Sequence, residues 1–155
     1  MLRSTFLLMI WLLLCYGAAA VGGLLSANGV SSWYPSLIKP SFNPPDWVFS
    51  PVWTTLYVFV AVAGWLVCRQ VRPGRALALG MWGVQLALNL AWSWIFFGAE
   101  EPGLALVEVA TLFVAIAVTI ALFARLSRPA ALFMLPYLAW VGFASVLNFE
   151  VWRLN

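Results

Sequence analysis

Residues 104–124 read LALVEVATLFVAIAVTIALFA, and Glu108 is the only charged side chain in the run. At 1.5 Å rise per residue, a helix of this length crosses about 30 Å, the thickness of a bilayer's hydrocarbon layer. Further apolar runs of similar length lie at 5–25, 51–68, 76–97 and 130–149. Spanning strands would alternate apolar and polar positions over ~10 residues, whereas these runs are apolar on every face. Helices then remain as the way to satisfy backbone N–H and C=O groups in lipid. The chain is predicted to be an all-α integral membrane protein, one five-helix bundle over 1–155.

The composition agrees. Hydrophobic residues make up 65% of the 155 and charged ones 8%, against roughly a quarter charged in soluble domains. A water-soluble globule is excluded. The 8 Lys and Arg outnumber the 5 Asp and Glu, but in a membrane protein this excess reports orientation, and no nucleic-acid partner is implied. Histidine is absent, which removes histidine-ligated haem or zinc and the side chain best suited to proton transfer near neutral pH. Cys15 and Cys68 sit in separate apolar runs without CxxC spacing, so no metal site or disulfide framework is predicted. Arg3 followed by an apolar run and AAA at 18–20 has the look of a secretory signal. The run continues to Leu25, beyond a typical ~7–15-residue signal core, and an uncleaved first helix is expected.

Five helices place the two ends on opposite sides. One side collects Arg3, Arg69, Arg72, Arg75, Arg125 and Arg128 and no acid; the other has Lys39 and Arg153 beside Asp46, Glu100, Glu101 and Glu150. The positive-inside rule then predicts a cytoplasmic N-terminus if the host is a bacterial inner membrane or a comparable one.

Three connections are short and turn-like. The one at 26–50 is different: Pro35, Pro40, Pro44 and Pro45 stand among Trp33, Tyr34, Phe42 and Trp47. The prolines stiffen it, and aromatics are costly to leave in water. A lid over one mouth of the bundle is one reading; an interfacial aromatic belt, which needs no ligand, is the other.

Helix faces point to what such a lid would cover. At about 100° per residue, Trp82, Gln85, Asn89, Trp92 and Phe96 fall on one stripe of the third helix, and Ala76, Gly80, Gly83, Ala87 and Ala91 on the opposite one. Small residues let helix backbones approach closely in lipid, so the second stripe is a candidate packing or dimer face. Gln85 and Asn89 need partners and should face inward, as interhelical glue or as ligand contacts. Glu108 also needs a partner or the nearby interface, and a proton relay is one role open to it. On the fifth helix Tyr137, Trp140, Ala144, Leu147, Asn148 and Val151 share a face, and Trp53 and Tyr57 lie one turn apart at the start of the second. Together these residues suit a cavity rich in indole rings and poor in charge, for a flat, conjugated, largely apolar ligand.

The segments WYPSLIKPSFNPPDWVFSPVWTTLY (33–57), QLALNLAWSWIFFG (85–98) and PYLAWVGFASVLNFEVWRLN (136–155) resemble the TspO family, the tryptophan-rich sensory proteins of bacteria and the translocator protein of mitochondria. The resemblance implies a five-helix bundle, usually a homodimer. Its implied ligands are porphyrins such as protoporphyrin IX or another tetrapyrrole, sterols in some members, and synthetic isoquinoline-carboxamides, held beneath the first loop. No cofactor is implied beyond porphyrin as ligand. Carried over to this sequence, the pocket positions are Gly23, Phe49, Trp53, Asn89, Trp92, Trp140, Ala144 and Leu147, with Trp33, Tyr34 and Pro44 in the lid. Two departures stand out. Phe149 replaces the tyrosine of the family's proposed sterol motif between Leu147 and Arg153, which weakens a sterol site. Leu104 stands where the mitochondrial proteins carry a tryptophan.

Binding and sensing, ligand transport, and light-driven porphyrin degradation are the functions this resemblance opens. The chain has no inverted repeat or charged pathway for a usual secondary transporter. It also lacks a nucleophile with a base, so any turnover would rest on ligand photochemistry and on tryptophans such as Trp33 and Trp140.

Overall fold

The computed structural model describes residues 2–155, with side chains from Ser4 onward, so the side chain of Arg3 lies outside the described residues. It is all helical: α1 (Leu2–Asn28), α2 (Asp46–Cys68), α3 (Arg75–Ser93), α4 (Pro102–Leu126) and α5 (Arg128–Leu154). All five are long and apolar enough to cross a membrane, and the protein is a multi-pass integral membrane protein.

Local chemistry fixes the helix ends. Gly74, at φ 86°, takes the left-handed conformation that opens α3, which costs glycine little. Pro102 starts α4, where its missing N–H is no loss. Ser127 alone separates α4 from α5, and its hydroxyl accepts from the Ala130 N–H at 3.4 Å. That abrupt turn makes α4 and α5 neighbours along most of their length, while α5 also packs on α2, and α1 on α2 and α3. The core runs through Leu56, Val60, Ile116, Phe123 and Met134. Trp82 buries its ring against Trp11, with centroids 4.6 Å apart, and donates its indole N–H to the Val60 carbonyl at 2.9 Å. Gly64 makes room for both rings, since a Cβ there would lie 2.6 Å from Trp11.

The connection expected at 26–50 is largely helical. After Asn28 the chain continues through a π-helical turn, Gly29–Trp33, and a 3₁₀ turn, Tyr34–Ser36, so irregular structure is confined to 37–45. At its far end α2 begins at Asp46 and carries Pro51 inside it. Pro51 removes only one helical hydrogen bond, to the Trp47 carbonyl, at an exposed position in the second turn, so the helix tolerates it.

A second π-helical turn, Trp94–Gly98, ends α3, with the Ala99 N–H donating to the Trp94 carbonyl at 2.8 Å. The two turns clasp each other. The Ser26 hydroxyl donates to the Ser93 carbonyl at 2.9 Å. A Cβ on Gly98 would lie 2.8 Å from the Leu25 carbonyl oxygen, and one on Gly29 would overlap the Phe97 carbonyl. Backbone meets backbone here because neither glycine has a side chain.

Candidate functional site

At the end of the bundle where α1 gives way to α2, a cavity of about 280 Å³ opens between the helices. From α2 come Phe49 and Trp53, one turn apart. Trp92 of α3 is followed by Phe96 and Phe97 from the π turn, and α5 supplies Trp140, Ala144, Leu147, Asn148 and Val151. Val30 and Tyr34 close the α1 side, and Asp46 stands at the mouth. The rings brace one another: Trp92 stacks on Phe96 at 5.5 Å and 28°, and Phe49 meets Trp140 edge-on at 5.9 Å. Such pairs each contribute about 0.5–1.5 kcal/mol beyond burial, so the walls are held in place without a ligand.

Asn148 knits three helices. It accepts from the Trp92 indole N–H at 3.1 Å and donates to the Pro102 carbonyl at 2.7 Å. The indole N–H groups of Trp53 and Trp140 donate to no protein acceptor among the described residues. Two lining residues therefore carry an unspent donor.

Beneath the aromatic layer lies a polar one. Tyr57 packs against Trp53 at 5.6 Å and donates its hydroxyl to the Asn89 side-chain carbonyl at 2.7 Å. Gln85 donates to the Trp82 carbonyl at 2.9 Å. The Asn89 Nδ2, the Gln85 Oε1 and both carboxyl oxygens of Glu108 are buried with no hydrogen-bond partner among the described residues. An unmet buried polar group costs about 1–3 kcal/mol, so this layer is a reservoir of unsatisfied hydrogen bonding under the chamber.

The irregular segment 37–45 is tied at several points. The Asn155 side chain accepts from the Ile38 N–H and donates to the Ile38 carbonyl, both at 3.0 Å. Tyr34 donates to Asn43 at 3.3 Å, Lys39 lies over the Tyr34 ring at 4.5 Å, and Phe42 meets Phe143 at 6.4 Å.

Of the residues singled out from sequence, Tyr34, Phe49, Trp53, Trp92, Trp140, Ala144 and Leu147 converge on this one cavity. Others do not reach its lining. Tyr57 and Asn89 form the layer below, and Pro44 is half-buried in the segment 37–45. Trp33 sits behind Phe96, at 5.6 Å. Gly23 is a correction: it is exposed with nothing within 4 Å of an added Cβ, because Gly22, one residue and about 100° away, is the one that faces Leu90 and Ser93. The lining is also not free of charge, since Asp46 belongs to it.

Sequence reasoning missed Val30, Asp46 and Phe97 as lining residues. Two of these are set by π turns, which insert an extra residue per turn and break the 100° phase; Asp46 was hidden by starting α2 at Pro51. Phe96, Asn148 and Val151 carried a signal, lying on the faces already marked. The small-residue stripe of α3 points out of the bundle: Ala76, Gly80 and Ala87 are exposed, Gly83 and Ala91 half-buried, and an added Cβ on Gly80 or Gly83 would meet nothing within 4 Å.

Comparison with known proteins bears on this arrangement. Residues 11–153 match the profile of the TspO/MBR family. The chain is 42% identical to the tryptophan-rich protein TspO of Chlorobaculum tepidum over 149 residues, covering 92% of this chain and 91% of that protein. It is 43% identical to the translocator protein of Homo sapiens over 126 residues, 79% of this chain and 75% of that one. With the tryptophan-rich sensory protein of Cereibacter sphaeroides it shares 38% identity over 149 residues, 96% and 91% of the two chains.

Proposed function

The chain belongs to the TspO/MBR family, and from that premise we propose that it is a membrane receptor that takes protoporphyrin IX, or a similar flat and largely apolar tetrapyrrole, into the aromatic chamber. One observation carries the reading: three indoles from three helices, Trp53, Trp92 and Trp140, wall a single cavity, and two of them have N–H groups without an acceptor among the described residues. Ring faces stack on a conjugated macrocycle while the free N–H groups donate to its acceptor atoms. The same features suit isoquinoline-carboxamides, whose amide oxygen would take one of those donors. A sterol, with no conjugated face, uses little of this wall.

Three indoles on the lining make the test direct. Purified protein in lipid nanodiscs, titrated with protoporphyrin IX, should show saturable quenching of tryptophan fluorescence. Quenching that rises linearly with ligand, as in protein-free discs doped with a tryptophan analogue, would sink the reading.

Trp140 on the lining also supports a second reading, light-driven degradation of the bound macrocycle, with Trp33 one ring removed behind Phe96. The same titration under light and in darkness separates the two, because turnover consumes the porphyrin absorbance and binding does not. Transport would demand flux into sealed vesicles above that of protein-free ones. The outward small-residue stripe on α3 supports a homodimer packed through that helix, and the arginine-rich side supports a cytoplasmic N-terminus.

A further inference from the structure

We propose that Asp46 selects among the flat ligands that the chamber admits, favouring those whose water-facing edge is neutral or cationic over those that carry carboxylates there. The proposal rests on the chamber reading above. Asp46 is the one charged side chain among the described residues of the lining, and it is exposed at the mouth. Among the described residues Asp46 is held in no ion pair: the one there joins Arg153 to Glu150. Lys39, the basic residue of the segment 37–45, lies over the Tyr34 ring and keeps its charge there, without an ion pair to Asp46.

The rest of the wall forces the encounter. Charged substituents cannot be buried among Trp53, Phe96 and Trp140 without a large desolvation cost, so a macrocycle lying in the chamber keeps them at the wet mouth. That is where Asp46 stands. A ligand carboxylate about 8 Å from Asp46, in an effective dielectric between that of a protein surface and water, is disfavoured about five-fold. The positive end of the α2 dipole offsets part of this, and salt screens it, with a Debye length of about 8 Å at 0.15 M and about 3 Å at 1 M.

The test compares protoporphyrin IX, a dicarboxylic acid, with its neutral dimethyl ester, in nanodiscs of zwitterionic lipid at low ionic strength. The change in the ratio of the two affinities between variant and wild type is the readout, because the ester's greater partitioning into lipid is the same for both proteins. Asp46→Asn should tighten the diacid about five-fold and leave the ester unchanged. The gain should fade in 1 M salt, and Asp46→Glu should keep the wild-type ratio. Equal shifts for acid and ester, or an unchanged ratio at low salt, would overturn the role of Asp46 while leaving the chamber reading intact. Wild-type protein that binds neither form would overturn the chamber reading itself, and the role of Asp46 with it.

Discussion

Replacing Gly29 by alanine should loosen the bundle at the chamber, and the structure sets the size of the effect. An added Cβ would overlap the Phe97 carbonyl oxygen, with the carbonyl carbon 2.6 Å and the Cα 3.2 Å away. All three are backbone atoms, so no rotamer relieves the overlap, and the turns Gly29–Trp33 and Trp94–Gly98 must move apart by on the order of 1 Å. Overpacking of this kind costs typically 1–3 kcal/mol, and a backbone obstacle places this case near the upper end. For a chain of this length that corresponds to a melting temperature lower by about 6–12 °C. Val30 and Phe97 ride on the two turns and line the cavity, so ligand affinity should fall as well. Gly23→Ala is the control, six residues earlier on α1 with open space around it. There alanine should be neutral or stabilising by up to about 1 kcal/mol, from helix propensity alone. Melting in detergent, followed by tryptophan fluorescence, reads both. Equal stability of Gly29→Ala and wild type, or equal losses at the two positions, would refute the clasp.

Two further outcomes follow from unmet or singular hydrogen bonds. Asn155→Ala removes both bonds to Ile38 and should speed amide exchange in 37–45 about ten-fold, at roughly 0.5–1.5 kcal/mol per bond; unchanged exchange there would show that the lid is held by its aromatic contacts alone. Glu108→Leu deletes two buried oxygens that have no protein partner and should raise the melting temperature, whereas Glu108→Gln keeps an unmatched polar group and should not; a leucine variant less stable than wild type would mean that the carboxyl is satisfied in the membrane.

The bundle was legible because bilayer thickness and the hydrogen-bonding demand of the backbone act on composition and run length, which a sequence displays directly. The inward stripe from Trp82 to Trp92 was legible for a related reason: 100° periodicity holds through α3, and Gln85 and Asn89 had nowhere else to go. It stopped being legible at the π turns. An extra residue in Gly29–Trp33 and in Trp94–Gly98 rotates everything beyond, and each turn carries a glycine that meets a backbone carbonyl from across the bundle, a tertiary fact. The lid was misjudged in extent for a second reason. Pro51 looks like a helix boundary, yet its missing N–H falls where only the exposed first turn of α2 is affected, and the true start at Asp46 brings a carboxylate to the cavity. Gly23 and Gly22 could not be told apart by type, because the rotation of α1 about its own axis decides which faces α3.

The chamber itself is tested most directly by filling it. Ala144 is a small lining residue facing the indoles of the cavity, and Ala144→Phe places a ring in space that the ligand would occupy. Titrated with protoporphyrin IX beside wild type, the variant should lose saturable binding while its melting temperature stays the same or rises. Undiminished affinity in a folded Ala144→Phe protein would mean that the macrocycle binds elsewhere on the bundle.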